Sequence, residues 1–132
     1  MENTNSNNEQ VLNPLRDPLN HSLEVLKEYK TAIISVTKKD LERFDAKKGD
    51  TEGLTNLALS LNIVNRAAFF TEDNGYVKIS FRSKGEDNPV NGLASQYFEG
   101  GGHINAAGGK FVGDLESAIK KFISVLPEFV NQ

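Results

Sequence analysis

Apolar and polar side chains alternate strictly along residues 76–82. The apolar members are Val77, Ile79 and Phe81, and the polar members are Lys78, Ser80 and Arg82. Successive side chains of a strand point to opposite faces of its sheet, so one face of this strand packs and the other presents two cations and a hydroxyl. A second apolar run precedes it at residues 63–70, and Asn74-Gly75 between the two runs is the strongest short signal for a β-hairpin.

Apolar stripes with helical spacing follow at residues 90–97 and 115–126. Asn88, ahead of a proline, is expected to cap the first of these helices, because its side chain can accept a hydrogen bond from a free backbone N–H. Asp114 is expected to cap the second helix in the same way, and Pro127 is expected to end it.

The remaining strands are predicted at residues 32–36, a short β-branched run, and around residues 110–112. A further apolar stripe at residues 54–61 predicts one more helix. The pattern as a whole predicts a single α/β domain with a mixed β-sheet of about five strands flanked by helices. We place this domain at residues 31–132. Residues 1–30 begin with a polar, Asn-rich stretch and show no clean period, so we expect a polar tail and an interdomain linker.

Composition narrows the function. A length of 132 residues suits one domain. Because the sequence has no long apolar run and no apolar N-terminus, we predict no membrane span and no signal peptide. With no cysteine, the chain fits a cytoplasmic location. The net charge of −3 disfavours binding to long duplex nucleic acid, so any nucleic-acid ligand should be short. The two histidines, His21 and His103, are far apart, and we predict no metal site in the chain.

The segment GGGHINAAGG concentrates the candidate chemistry. Its three consecutive glycines, Gly100, Gly101 and Gly102, allow backbone N–H groups to approach an anion without a Cβ in the way. His103 adds a donor for phosphate oxygens, and Asn105 with the two alanines after it suggests a tight helical turn that extends the site. The alternative is a glycine-rich hairpin loop with a surface histidine. The segment is neither a Walker loop nor a Rossmann fingerprint, because the GK[ST] ending and the glycine spacing are missing.

GGGHINAAGG resembles the GGGH motif of the DHH-associated C-terminal domain of DHH-family phosphoesterases. Ser80-Phe81-Arg82-Ser83 is similar to the Ser-x-Arg-Ser strand end of that family, and residues 50–56, DTEGLTN, resemble the helix start of its oligoribonuclease branch. The family includes oligoribonucleotide phosphodiesterases and phosphoadenosine phosphate phosphatases. The resemblance covers about residues 31–125, and the related domain of alanyl-tRNA synthetases matches less well.

The resemblance implies a substrate-binding domain. Gly100, Gly101, Gly102 and His103 would hold the phosphate or terminal nucleotide, and Arg82 would make a bidentate phosphate contact. Ser83 and Asn105 complete the predicted binding set. The implied partners are a short RNA or nucleotide phosphate and the N-terminal DHH catalytic domain of the same protein.

The catalytic domain of the family, with its two manganese ions and its Asp-His-His motif, has no counterpart in this sequence. We therefore assign no catalytic residue and no cofactor to this chain, and we predict that it is inactive as a hydrolase on its own. Two alternatives remain open. One is a free-standing module that binds nucleotides or short RNA, and the other is a self-association scaffold that forms a homodimer.

Overall fold

The computed structural model describes residues 22–39 and 55–130. In these residues the chain forms a six-stranded sheet with helices on both faces. The strands are β1 (Ser22–Leu26), β2 (Thr31–Val36), β3 (Arg66–Glu72), β4 (Tyr76–Ser83), β5 (Gly101–His103) and β6 (Ala106–Val112). The helices are α1 (Asn91–Tyr97) and α2 (Leu115–Val130), a single 3₁₀ turn at Lys27–Tyr29, and a helical segment at residues 55–59.

The strand order across the sheet is β1-β2-β3-β4-β6-β5. β2 and β3 are parallel, whereas every other pair is antiparallel. The predicted class, a mixed-sheet α/β domain, is therefore confirmed, although the sheet has six strands rather than about five. The two strands that the sequence did not predict, β1 and β5, form the two edges of the sheet.

β1 lies before residue 31, where the sequence analysis places the start of the domain. It pairs antiparallel with β2 along its whole length, and Leu23 is buried on the sheet. Residues 22–26 are thus part of the sheet. The pattern SLEVL is too short to show a clear period, so only its pairing with the buried β2 reveals it as a strand.

The β3–β4 hairpin forms where the alternation and the Asn-Gly pair predict it. Gly75 has a φ of 79°, a left-handed conformation that glycine adopts without steric cost. Asp73 stabilises the turn, since one of its carboxylate oxygens accepts a hydrogen bond from the Asn74 N–H at 2.8 Å and the other from the Tyr76 hydroxyl at 3.1 Å. These two hydrogen bonds lower the pKa of Asp73.

The main core lies between the sheet and the two helices α1 and α2. Phe122 of α2 occupies its centre, with ring centroids 5.6 Å from Phe70, 6.1 Å from Phe81 and 6.4 Å from Phe98. Such ring contacts stabilise a core beyond their buried area. Because Phe81 and its alternating apolar neighbours face these helices, the polar side chains of β4 lie on the opposite face of the sheet.

A second, smaller core covers part of that opposite face. It contains apolar side chains of β1, β2 and β3, together with Ala58 from the helical segment and Val64. Both are fully buried. This core includes no residue of β4, β6 or β5. Among the described residues, the half of the sheet formed by these three strands therefore has one face packed against α1 and α2 and one open face.

The helix ends differ in part from the prediction. Asp114 caps α2, because its Oδ1 accepts a hydrogen bond from the Ser117 N–H at 2.7 Å. The expected end at Pro127 is wrong, since α2 continues to Val130; a proline in the last turn removes only one helical hydrogen bond. The expected Asn88 cap of α1 is also wrong. The N-cap is Val90, and the Asn88 amide donates to Lys84 O at 2.8 Å instead.

Candidate anion-binding site

The last three residues of the GGGH stretch form a β-strand, and this strand makes a hairpin with the strand that follows it. Gly101–His103 forms β5, which pairs antiparallel with the start of β6, and Ile104 and Asn105 form the turn between them. The expected helical turn through the two alanines is therefore wrong. Ala106 and Ala107 begin β6, where they pair with β4 on one side and β5 on the other.

The strand register places the predicted ligand-binding side chains in one row. Arg82 of β4 is paired with Ala106 of β6, and Ala106 is paired with His103 of β5. Paired residues point to the same face of a sheet, so Arg82 and His103 share the open face. Their Cα atoms are about 10 Å apart, because neighbouring strands are about 4.8 Å apart.

Two more rows follow on the same face towards the other end of β4. Ser80, Gly108 and Gly101 form the next row, and Lys78 with Lys110 forms the row after it. A glycine-containing row therefore lies between two rows that carry cations. A shallow groove of about 420 Å³ follows this region and is lined by residues of β4 and β6 together with Glu99 and Gly100.

Two of the three consecutive glycines are required by packing. A Cβ at Gly100 would overlap Gly108 O and lie 2.6 Å from Gly109 Cα. A Cβ at Gly102 would lie 2.6 Å from Ala107 Cα, and the φ of Gly102 is 146°. Both glycines thus allow the strand to approach β6 closely. The triple glycine therefore has a packing role at these two positions.

Gly101 is different. Its φ is not positive, and a Cβ built on it would meet nothing within 4 Å. A Cβ on Gly108, its partner across the strands, would be 3.6 Å from Ile79 O, an ordinary van der Waals distance. Neither backbone conformation nor packing demands glycine at these two positions. Their effect is to leave the backbone of β5 and β6 uncovered on the open face, which lets a ligand approach the main chain. We call the row of Ser80, Gly108 and Gly101 the glycine floor.

Arg82 and His103 flank this floor with unused donors. The half-buried Arg82 side chain donates from Nη1 to its own neighbour, Phe81 O, at 2.9 Å. Its other guanidinium N–H groups have no partner among the described residues. His103 is exposed, and no described residue hydrogen-bonds its imidazole. A guanidinium and an imidazole beside a bare backbone are well suited to bind a phosphate group.

Ser83 and Asn105, the other two predicted binding residues, bond to each other. Asn105 Nδ2 donates to Ser83 Oγ at 2.7 Å and to Gly85 O at 2.9 Å. The Ser83 N–H donates to Asn105 O at 3.1 Å. Both N–H donors of the Asn105 amide are thus used within the protein. We call these hydrogen bonds between Asn105 and Ser83 the bracket. They hold the β5–β6 turn, next to His103, against the end of β4, which carries Arg82.

Sequence reasoning missed Lys110 and Gly108 and gave no role to Lys78, although it noted the polar face of β4. The signal for Lys110 and Gly108 is their spacing of two residues, which puts both on one face once β6 is known to be a strand. Phe98, the aromatic residue ahead of the triple glycine, is 1% exposed and belongs to the main core, so its ring is not available to stack on a base.

Within residues 22–39 and 55–130, no group of three or more His, Asp or Glu side chains could hold a metal ion. The same residues contain no helix long and apolar enough to cross a membrane. The family motif at residues 50–56 lies mostly outside the described residues.

The fold and the motifs together point to one family of domains, and comparison with known proteins identifies it. The DHHA1 domain family matches residues 27–132. The chain therefore belongs to this family, which confirms the resemblance to the DHH-associated domain of DHH-family phosphoesterases.

Individual relatives agree with this assignment. The chain is 30% identical over 105 residues to the bifunctional oligoribonuclease and PAP phosphatase NrnA of Bacillus subtilis, a match that covers 73% of this chain and 33% of NrnA. It is similar in structure to an exopolyphosphatase-related protein of Bacteroides fragilis, with a TM-score of 0.78 and 37% identity over 98% of this chain and 37% of that chain. The pGpG-specific phosphodiesterase PggH of Vibrio cholerae shares the fold, with a TM-score of 0.58 and 12% identity over 93% and 39% of the two chains. This chain spans about a third of the length of these relatives.

Proposed function

We propose that this chain is the substrate-binding domain of a DHH-family phosphoesterase that hydrolyses short oligoribonucleotides or nucleotide phosphates. In this proposal the open face of β4, β6 and β5 binds a phosphate group of the substrate. The observation that carries it is the pair Gly101 and Gly108, where the fold does not need glycine and where glycine exposes the main chain beside Arg82 and His103.

Each residue has a separate part in binding. Arg82 offers the planar fork that matches two phosphate oxygens, and His103 offers a donor whose hydrogen bond strengthens when the imidazole is protonated. The glycine floor admits the ligand to the backbone. Asn105 and Ser83 act as positioning residues, because their mutual hydrogen bonds hold the turn beside His103 against the end of β4.

Hydrolysis belongs to a separate catalytic domain. The two manganese ions of that domain would activate water for attack on the phosphoester. The described residues of this chain offer no ligand set for them. What this chain contributes is to bind and orient the substrate phosphate, in a protein that we place in the cytoplasm. On its own it should not hydrolyse phosphodiesters.

Titration of the chain with the 5′-phosphorylated dinucleotide pApA, by calorimetry or NMR chemical shifts, tests the proposal. Arg82→Ala should weaken binding by about 1.5–3 kcal/mol if the contact is desolvated. It should also flatten the slope of log affinity against log salt by about 0.7. His103→Ala should also weaken binding, because it removes a hydrogen-bond donor for a phosphate oxygen.

Gly101→Val is the sharper variant, because the space around Gly101 is open and the fold should tolerate the side chain while the floor becomes covered. Glu24→Val, at an exposed position of the opposite edge strand, is its matched control. Loss of pApA binding in Gly101→Val alone supports the proposal. If Arg82→Ala, His103→Ala and Gly101→Val all bind as the parent does, the open face is not the binding site and the self-association scaffold replaces it.

A further inference from the structure

Arg66, the first residue of β3, is the only buried charged residue in the part of the chain that the structure describes. Only 8% of it is exposed, and it forms no ion pair with a described carboxylate. Burial lowers the pKa of its guanidinium, yet an arginine keeps its charge in a folded protein. A buried charge without a counter-ion is costly, so an apolar side chain would fill this space at lower cost.

Two contacts fix the Arg66 side chain. Its guanidinium carbon lies 5.7 Å from the centre of the Phe129 ring near the end of α2, a distance at which a cation is attracted to an aromatic ring. The same ring packs against Gly92 of α1, where a Cβ would lie 2.8 Å from a ring carbon. The Arg66 Nε donates a hydrogen bond to Pro89 O at 3.2 Å. Arg66 thus ties the start of β3 to the segment that leads into α1.

The segment that Arg66 holds is itself bonded to the turn beside His103. The N–H of Val90, which follows Pro89, donates to Ile104 O at 2.7 Å. Ile104 directly follows His103 and is the first residue of the β5–β6 turn. A short path of two hydrogen bonds and a few covalent bonds therefore runs from the buried guanidinium to the turn.

The second residue of the turn is attached to the same place in the sheet. Asn105 is held by the bracket to Ser83, and Ser83 is the partner of Arg66 in the β3–β4 register. Both residues of the turn are therefore connected to the start of β3, one through the Arg66 side chain and the other through strand pairing. A substitution of the Arg66 side chain removes only the first of these connections.

We propose that Arg66 is a positioning residue of the anion-binding site, which holds the segment before α1 and through it the turn beside His103. The proposal rests on the proposed function, and it assigns the role to the Nε donor of Arg66 and not to its charge. Arg66 alternates in phase with Ala68 and Phe70, which face α1 and α2. It therefore lies on the opposite side of the sheet from the ligand and acts only through the turn.

Two variants that both remove the charge but differ in one donor test the proposal. In Arg66→Gln the amide Nε2 takes the place of the arginine Nε, since both nitrogens are bonded to Cδ. In Arg66→Met the apolar Cε methyl group takes that place. Arg66→Met should raise the Kd for pApA about threefold to tenfold, the factor that corresponds to one lost hydrogen bond. Arg66→Gln should bind pApA as the parent does.

Double variants show which part of the site Arg66 serves. If Arg66 acts through the turn beside His103, Arg66→Met should have no further effect on pApA binding when it is combined with His103→Ala. Combined with Arg82→Ala it should keep its full effect, because Arg82 lies on β4 and not on the turn. Equal effects in the two combinations would mean a general loss of structure and would overturn the proposal.

Hydrogen exchange of the free chain gives a readout that needs no ligand. Arg66→Met should speed the exchange of the Val90 amide, whose hydrogen bond to Ile104 O loses its support, and should leave the Phe81 amide of β4 unchanged. Arg66→Gln should leave both amides unchanged. Faster exchange of both amides in Arg66→Met would indicate a structural role alone and would contradict the proposal.

The outcomes separate this proposal from the proposed function. An apolar side chain avoids the cost of a buried unpaired charge, so Arg66→Met should fold. If it does not, Arg66→Gln still decides, because a raised Kd or faster Val90 exchange in that variant would show that the charge holds the segment and the proposal is wrong. If Arg82→Ala and His103→Ala weaken pApA binding but Arg66→Met does not, only the role of Arg66 is excluded. If the parent does not bind pApA, the proposed function itself fails.

Discussion

Arg82 and His103 lie on the same face of the sheet, on either side of Ala106 in β6, with which each of them is paired. The small side chain of Ala106 keeps the space between them open, and the glycine floor continues that space along the strands. In sequence the two residues are separated by a turn, by α1 and by the triple glycine. The fold therefore joins two motifs, Ser-x-Arg-Ser and GGGH, into one surface.

The triple glycine predicts a contrast in stability between neighbouring positions. Gly100→Ala should destabilise the chain by about 1–3 kcal/mol or more, because its Cβ would overlap the backbone of β6. Gly101→Ala should leave stability unchanged or raise it by about 0.4–1 kcal/mol, since the new methyl group meets nothing and restricts the unfolded chain. Urea denaturation of the two variants measures both values. Equal losses at the two positions would mean that Gly101 is also a packing glycine.

The β3–β4 hairpin was predictable because its signals are local. The alternation along residues 76–82 and the turn at Asn74-Gly75 specify both strands without reference to the rest of the chain. The cap of α2 by Asp114 was predictable for the same reason. The polar face of β4, including Arg82, followed from the period of two alone.

β5 was not predictable from local preference, because consecutive glycines disfavour a strand. It exists because Gly100 and Gly102 allow a backbone approach to β6 that larger residues would block. The approach of His103 to Arg82 depends on the register of three strands, and a register is a property of their pairing and not of any one segment. The hydrogen bonds of Asn105 depend on the same tertiary arrangement. The sequence therefore predicted Asn105 as a ligand-binding residue and gave no sign of its hydrogen bond to Ser83.

Asp114 predicts how the stability of α2 depends on pH. The Ser117 backbone N–H and, to a lesser degree, the Ser117 hydroxyl and Lys120 hold its pKa below the usual value. A lowered folded-state pKa means that Asp114 contributes stability above its ordinary pKa near 4 and loses it as the pH falls through the folded value. Asp114→Asn keeps a capping side chain and removes the charge. The variant should be less stable than the parent at pH 7, and the difference should shrink as the pH falls from about 5 to 2. A difference in Tm that is constant over this range would contradict the charge argument.

The bracket between Asn105 and Ser83 predicts a coupling that reaches the binding site. Asn105→Ala removes two hydrogen bonds, to Ser83 Oγ and Gly85 O, and should cost about 1–3 kcal/mol of unfolding free energy. Ser83→Ala removes only the first of these bonds, so a double-mutant cycle should give a coupling of about 0.5–1.5 kcal/mol between the two side chains.

Because the bracket fixes the turn next to His103, Asn105→Ala should also weaken pApA binding, although its amide donors do not face the ligand. Ser124→Ala, which removes a hydrogen bond to Lys121 O within α2, is the control and should leave binding unchanged. A different result would contradict this prediction: Asn105→Ala weakens binding, but Ser83→Ala has no effect on stability and shows no coupling with Asn105→Ala. Asn105 would then contact the ligand directly, as the sequence predicts.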